Sequence, residues 1–390
     1  MMTNELENEP KLRFPEFNEE WEEKILDEVS TFSKGKGISK NDLSKDGTPC
    51  ILYGELYTTY DFIINKIKSK TLLDTKNLVK GKKNQVLIPS SGETPLDIAT
   101  AAVINTTEDM LLGGDINVLT PVQKYDGKFI SLSINGKNKS NLSKYAQGKS
   151  VVHLYNNDIK KLKIKFPVKN SEQRKIGDFF SKLDRQIELE EQKLEKLEEQ
   201  KKGYMQKIFS QELRFKDENG NDYPEWEIKK LMQIAKVKTG SKNVQDNIQD
   251  GKFKFFDRSV EVKYLNTFDF DETAIIYPGE GSKFLPRYFS GKYSLHQRAY
   301  SIYDININNN YLYYYLSLQN NHFLKYAVGS TVKSLRMSGF DKLKVMVPKN
   351  SEQEKIGDFF NELDELIEKQ SSKIGVLKQR KKGFLQKMFV

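Results

Sequence analysis

The sequence predicts an α+β protein built from two mixed α/β domains joined by two long antiparallel coiled-coil helices with pseudo-two-fold symmetry. Three observations predict it. First, Asn170 to Phe209 aligns with Asn350 to Phe389 at a constant offset of 180 without a gap, and 22 of 40 positions are identical, far more than chance similarity between charged helices gives. Second, apolar residues in both segments recur at alternating three- and four-residue steps, the spacing of a coiled-coil seam. Third, the remaining sequence reads as short strand-like runs punctuated by Pro and Gly, such as Gln85–Pro89, Thr273–Pro278 and Arg298–Tyr303, with helix signals as in Asn310–Tyr326.

The repeat extends beyond the helices. Both begin NSEQ-x-KIGDFF and close with KKG, an aromatic residue and x-QK-x-F. Upstream, Tyr145-Ala146-x-Gly148-x-Ser150-Val151 matches Tyr326-Ala327-x-Gly329-x-Thr331-Val332, and Leu162-Lys163-Ile164 with Pro167 matches Leu343-Lys344-Val345 with Pro348. Each copy also has an entrance: Leu12-Arg13-Phe14, Pro15-Glu16 and Trp21-Glu22 in the first, Leu213-Arg214-Phe215 and Pro224-Glu225-Trp226-Glu227 in the second. Between entrance and exit, from about 39 to 144 and from about 243 to 325, the copies do not align. A shared frame around unlike interiors suggests two readers with different targets. The domain expectation is 1–169, a first long helix 170–210, a second domain 211–349 and a second long helix 350–390.

In the first helix the predicted seam is Ile176, Phe180, Leu183, Ile187, Leu194, Leu197, Tyr204 and Ile208, broken at Glu190 and Lys201. In the second it is Ile356, Phe360, Leu363, Ile367, Ile374, Leu377, Phe384 and Met388, broken at Gln370 and Lys381. Matching breaks imply matching partners. Asn170 and Asn350 are natural N-caps, and Gln173 and Gln353 stand where they close a capping box. A helix of about 38 residues is about 57 Å long. With so narrow an apolar stripe it needs a mate, and the nearest mate is its own repeat; packing of each helix on its own domain is the alternative.

The chain has 390 residues, 37% hydrophobic and 11% aromatic, enough for two cored domains. Its single cysteine, Cys50, forms no internal disulfide, which fits a reducing compartment. No apolar run approaches the roughly 20 residues of a membrane span. The acidic, polar Met1–Pro10 does not read as a signal peptide, so the expected location is the cytoplasm. The net charge of +9 is uneven: roughly −7 over residues 1–28, roughly +10 over 29–170, close to zero over 171–209 and roughly +5 over 210–350. Positive charge on the two globular stretches suits a polyanion. The same charge fits a lysine-rich surface from an AT-rich genome, so charge alone does not decide.

Candidate DNA contacts are polar or basic residues on loops. In the first copy they are Lys34, Lys36, Ser90, Ser91, Lys149 and Ser150; in the second Lys242, Lys283, Gln297, Arg298, Ser330, Thr331, Lys333 and Arg336. The turns after Pro89 (Ser90, Ser91, Gly92) and after Pro278 (Gly279 to Lys283) stand at analogous places, although each also reads as an ordinary loop. The exit loops, Gly148-Lys149-Ser150 and Gly329-Ser330-Thr331-x-Lys333 with Arg336, carry the small hydroxyl and basic residues that suit phosphate. Gln297 and Arg298 have the side chains that read adenine and guanine edges. His153 and His322 lack partners at metal-ligand spacing and read as structural.

Recognisable catalytic machinery is missing from the sequence. Gly148-Lys149-Ser150 resembles the end of a phosphate-binding loop, but position 143 is serine, not glycine. There is no Asn-Pro-Pro-aromatic tetrapeptide and no cysteine pair for zinc. Gly279-x-Gly281 lacks the third glycine of a dinucleotide fingerprint. No nucleophile, base and orienting group assemble, so the expectation is a chain that binds, with no catalytic site, no metal site and no cofactor of its own.

The duplicated Pro-x-Trp-Glu-type entrance, the two variable interiors, the Tyr-Ala-x-Gly exit and the twin Glu-Gln-x-Lys-Ile helices from Glu172 and Glu352 together resemble the specificity subunits of type I restriction-modification enzymes. The resemblance covers nearly the whole chain; the first entrance, Arg13 to Trp21, is more compact than the second. It implies two target-recognition domains, each reading half of an interrupted site on double-stranded DNA, with paired helices fixing the gap. It further implies two methylation subunits that use S-adenosylmethionine and two motor-nuclease subunits that use ATP and Mg; the lack of a long apolar run adds the expectation of no membrane partner. A scaffold whose long helices only organise proteins, and a DNA-acting enzyme with a cryptic site, are the other classes to weigh. Exchanging residues 213–348 for another variable domain is expected to change one half of the recognised sequence only; a change in both halves, read by methylation mapping, counts against modular reading.

Overall fold

The computed structural model describes residues 8–259 and 261–390, so the expectation for Met1–Pro10 lies largely outside the described residues. The chain divides into two units: residues up to Glu191 together with Ser372–Val390, and Gln192–Ser371. The division falls within both long helices, Asn170–Phe209 and Asn350–Lys387. Each unit therefore contains the start of one helix and the end of the other.

In the first unit the central sheet has the strand order Ser30–Lys34, Ile116–Pro121, Val86–Pro89, Ala102–Ile104, Ile63–Ile64. Its pairings are antiparallel except the last, which is parallel. A second five-stranded sheet is formed by Leu43–Ser44, Ser69–Thr71, Thr48–Ile51, Leu111–Leu112 and Val79–Lys80. In the second unit the sheet order is Lys236–Thr239, Tyr300–Tyr303, Phe270–Tyr277, Arg287–Leu295, Phe253–Phe256, Lys263–Leu265. The first four strands again pair antiparallel, and Phe253–Phe256 again adds in parallel. Two interiors that do not align in sequence thus share the order and directions of five strands, to which the second adds Lys263–Leu265 at the edge. Burial pattern, not residue identity, sets strand pairing, which is why the sequences hide the likeness.

The helical signal at Asn310–Tyr326 resolves into two helices, Asn309–Ser317 and Asn320–Tyr326. The break is stabilised by Asn320, whose side-chain oxygen accepts the backbone N–H of Phe284 at 2.8 Å and so ties the turn to a distant loop.

The frame is built on two buried carboxylates. Glu172 accepts two hydrogen bonds from the Arg13 guanidinium, at 2.7 and 2.9 Å, and one from the Trp21 indole at 3.3 Å. Glu352 receives the same set from Arg214, at 3.1 and 2.8 Å, and from Trp226 at 3.0 Å. The arginine fork matches the carboxylate plane, and the tryptophan supplies the further donor that a buried charge requires. The neighbouring glutamine does not close the expected capping box. Gln173 accepts the backbone N–H of Asp126 and donates to the Pro167 carbonyl; Gln353 accepts from Asn308 and donates to the Pro348 carbonyl. Asp126 and Asn308 are themselves N-caps of short helices. Buried glutamine is better used in tying the long helix to its domain than in capping the helix it stands on. Four residues on, Gly177 and Gly357 permit that approach: a Cβ at Gly177 would lie 2.8 Å from Lys128 Cβ, and one at Gly357 would lie 3.0 Å from Asn310 Cβ.

Within each unit the helix segments run antiparallel. In the first, Asp184 meets Lys381 at 2.6 Å and Glu190 meets Lys373; in the second, Lys201 meets Asp364, and Tyr204 packs edge-on against Phe359. The seam breaks Lys201 and Lys381 are therefore cross-helix partners of Asp364 and Asp184, positions also related by the repeat. Polar pairs inside an apolar seam fix register at some cost in stability. Of the predicted seam, Ile176 and Phe180 enter the core of the first unit, and Ile356 and Phe360 that of the second. Ile187, Ile374 and Leu377 are buried, while Leu183, Leu194, Leu197, Leu363 and Ile367 are half-buried. Tyr204 is 39% exposed, because a phenol tolerates a wet edge. Among the described residues no helix is long and apolar enough to cross a membrane.

Burial pushes the Asp184 carboxyl up to about 6, against the pull of the Lys381 ammonium. Lys381 also meets Asp61 and lies over the Phe62 ring. Lys381→Met is expected to destabilise the first unit by roughly 3 kcal/mol at neutral pH, because it leaves a buried charge unpaired. The loss shrinks as pH falls toward about 6, because without the ammonium Asp184 takes up its proton at a higher pH than in the unaltered chain. Lys381→Met combined with Asp184→Leu recovers much of the stability; denaturant unfolding of the four chains of the double-mutant cycle checks this.

Candidate nucleic-acid interface

In each unit the last residues of one central strand lead into a two-residue strand that pairs with the exit loop. In the first unit Ser91–Gly92 pairs with Val152–His153. In the second, Glu280–Gly281 pairs with Lys333–Ser334. The exit loops are closed by isolated bridges, Gln147 to His153 and Val328 to Ser334, and turn at Gly148 (φ +121°) and Gly329 (φ +110°), conformations that a Cβ disfavours. The loops after Pro89 and Pro278 thus sit at the same place on the same frame.

Their chemistry differs. In the first unit the two candidate hydroxyls that follow Pro89 are buried: Ser90 hydrogen-bonds Asp115, and Ser91 shares a 3.1 Å hydrogen bond with His153 Nδ1. They shape the loop and do not point outward. What faces solvent is Lys34, 5.6 Å from the centre of the Tyr155 ring, together with Lys36, Lys149 and Ser150. In the second unit Glu280 is 8% exposed, yet its two oxygens accept hydrogen bonds from Arg258 at 2.8 Å and Arg298 at 2.5 Å, both well exposed. The two guanidinium groups hold the Glu280 carboxyl below the usual carboxylate range.

The second copy's candidates gather around this point. Gly279 is fixed by the Arg298 carbonyl, 1.2 Å from where its Cβ would be, and its own carbonyl accepts the Leu335 N–H at 2.8 Å. Gln297 donates to Asn243 at 2.7 Å. Lys283, Ser330, Thr331 and Arg336 are exposed and Lys333 is half-buried. Lys242 bridges to His296 and pairs with Asp269 at 3.2 Å, which ties it to the fold. Sequence reasoning missed Arg258 and the role of Glu280: Arg258 lies in the divergent interior, where no motif marks it. Tyr155, beside Lys34, went unnoticed for want of any pattern. His153 and His322 make ordinary hydrogen bonds, to Ser91 and to the Gly339 carbonyl. Among the described residues no group of three or more His, Cys, Asp or Glu side chains is placed to hold a metal ion.

Comparison with known proteins follows the same two-part plan. The family described as type I restriction modification DNA specificity domain matches residues 18–199 and again 223–378. The EcoDI type I restriction enzyme specificity subunit of Escherichia coli is 28% identical over 162 residues, which is 42% of this chain and 36% of that protein; the match spans about a third of the relative's length. Among solved structures, the S subunit of a type I restriction-modification system from M. genitalium superposes with a TM-score of 0.65 at 17% identity, covering 98% of this chain and 99% of that one. A chain from the structural study of complex assembly and conformational transition of the type I R-M system gives 0.54 at 14% identity, covering 96% and 98%. With the family matched twice, once over each copy of the frame, the chain belongs to the type I restriction-modification DNA specificity family.

Proposed function

We propose that the chain is the sequence-reading subunit of a type I restriction-modification complex, with target-recognition domains at 1–169 and 211–349, each contacting half of a bipartite, asymmetric DNA site. The observation that carries the reading is one frame holding two unlike surfaces. Fold, sheet order and carboxylate clamps repeat, while the exposed loop chemistry changes from lysine and tyrosine to paired arginines. The long helices 170–210 and 350–390 set the spacing of the halves in this reading. The chain contributes no catalytic residue; methylation of adenine and restriction are carried out by partner subunits that bring S-adenosylmethionine, ATP and Mg, in the cytoplasm.

The repeated helices support two equivalent protein partners. Lys202, Gly203, Gln206 and Lys207 are identical to Lys382, Gly383, Gln386 and Lys387. The lysines and glutamines are exposed in both copies, and a Cβ at Gly203 or Gly383 would meet nothing within 4 Å. Packing inside this chain does not demand those identities; one binding surface presented twice does.

Co-expression with the methylation subunit in a host without DNA methylation, followed by genome-wide mapping of methylated adenine, is expected to give a single split motif with two unlike halves and a fixed gap. A stable complex that methylates nothing, and does not bind DNA directly, overturns the reading in favour of a protein scaffold. Inserting four residues into both helices lengthens each by about 6 Å, close to two base-pair steps of about 3.4 Å. The preferred gap is expected to grow with the half-sites unchanged; an unchanged gap rules out the helices as a ruler.

A further inference from the structure

We propose that the half-site read by the second unit contains a G·C pair, and that Arg258 and Arg298, held side by side on the buried carboxylate of Glu280, are the residues that read its guanine. The inference rests on the reading above and adds which base one half contains and which side chains select it.

The arrangement is not required by the fold. At the equivalent position of the first unit the same two-residue strand and exit loop are held by a hydroxyl–imidazole hydrogen bond between Ser91 and His153, with no carboxylate. Nor is it an obvious net source of stability: both arginines are more than half exposed, at 59% and 65% of their side-chain surface, so water screens them, and burying the Glu280 carboxylate costs much of what the pairs return. What the carboxylate does is orient. Each guanidinium gives one terminal N–H to one Glu280 oxygen. A guanidinium has five N–H donors in a rigid plane, so each keeps donors directed away from the protein.

The surroundings leave the patch cationic. Lys283 and Lys333 lie on the same paired loops. The nearby Asp257 is committed to Lys263 and to Ser259. Arg287 donates to the Ser259 carbonyl, holding the turn that carries Arg258. A planar, pre-oriented fork on a positive surface matches the O6 and N7 acceptors of guanine in the major groove, the commonest specific arginine contact. Phosphate is the competing acceptor, and lysine separates the two. It keeps the charge that phosphate needs and loses the fork that guanine needs.

The test uses the complex of this chain with its methylation subunit. Methylation mapping and competition binding to a duplex library are compared for wild type, Arg298→Lys, Arg258→Lys, Arg298→Gln and Glu280→Gln. The half belonging to the second unit, identified by exchange of residues 213–348, is expected to contain a G·C pair. Preference at that pair should relax roughly ten- to a hundredfold in both lysine variants, with every other position unchanged. Glu280→Gln should relax the same position while the other half is still read as before. If Arg298→Lys reads all sequences as wild type does, while Arg298→Gln weakens all of them equally and lowers the salt slope by about one, the arginine touches phosphate and the proposal is overturned. A split motif whose second half lacks G·C overturns it too. Both results leave the function stated above intact, whereas absence of any split motif removes that function and this inference with it.

Discussion

Two buried glutamates organise this protein. Glu172 and Glu352 each open a long helix, and each is wholly enclosed. A carboxylate in that position is tolerable only with its lone pairs filled, and the arginine and tryptophan of the preceding entrance segment fill them. The consequence is topological. The entrance is separated from its helix by the whole variable interior, 159 residues between Arg13 and Glu172 and 138 between Arg214 and Glu352. The clamp closes that loop at its neck. The interior can then change its sequence, as the two copies have done, without changing how it is delivered. Loss of either arginine strands a buried charge at a cost of roughly 3–5 kcal/mol.

The glutamine beside each glutamate extends the logic. By accepting the N–H of the residue that caps a domain helix, Gln173 and Gln353 register the long helix against that helix. Glycines at 177 and 357 let the helix lie close enough for this. The motif that looked like a helix cap is therefore an attachment device, and its repetition reflects two identical attachments.

Much of this was legible in the sequence because identities mark places where geometry is demanding. The offset of 180, the paired tryptophans and the seam breaks at Lys201 and Lys381 all correspond to specific contacts. Illegible features have a common physical reason. Sheet order depends on burial alternation, which many sequences satisfy, so the shared topology of the interiors left no alignment. Ser90 and Ser91 looked like surface hydroxyls because a sequence does not report which way a short strand faces. Arg258 acquires its meaning only from Glu280, 22 residues away, and no local pattern links them.

The interleaving of the two units also dictates an order of assembly during synthesis. Residues 192–371 form a continuous unit, complete as soon as they have emerged. The other unit is interrupted by them, and its core includes Leu385, Met388 and Phe389. At about 5–20 residues per second, the ribosome needs roughly ten to forty seconds to make the intervening stretch. For that interval the earlier-born domain waits with part of its core unfilled and Trp21, Phe129 and Phe180 lacking the Phe389 ring that later packs among them. The half made first is thus the half finished last.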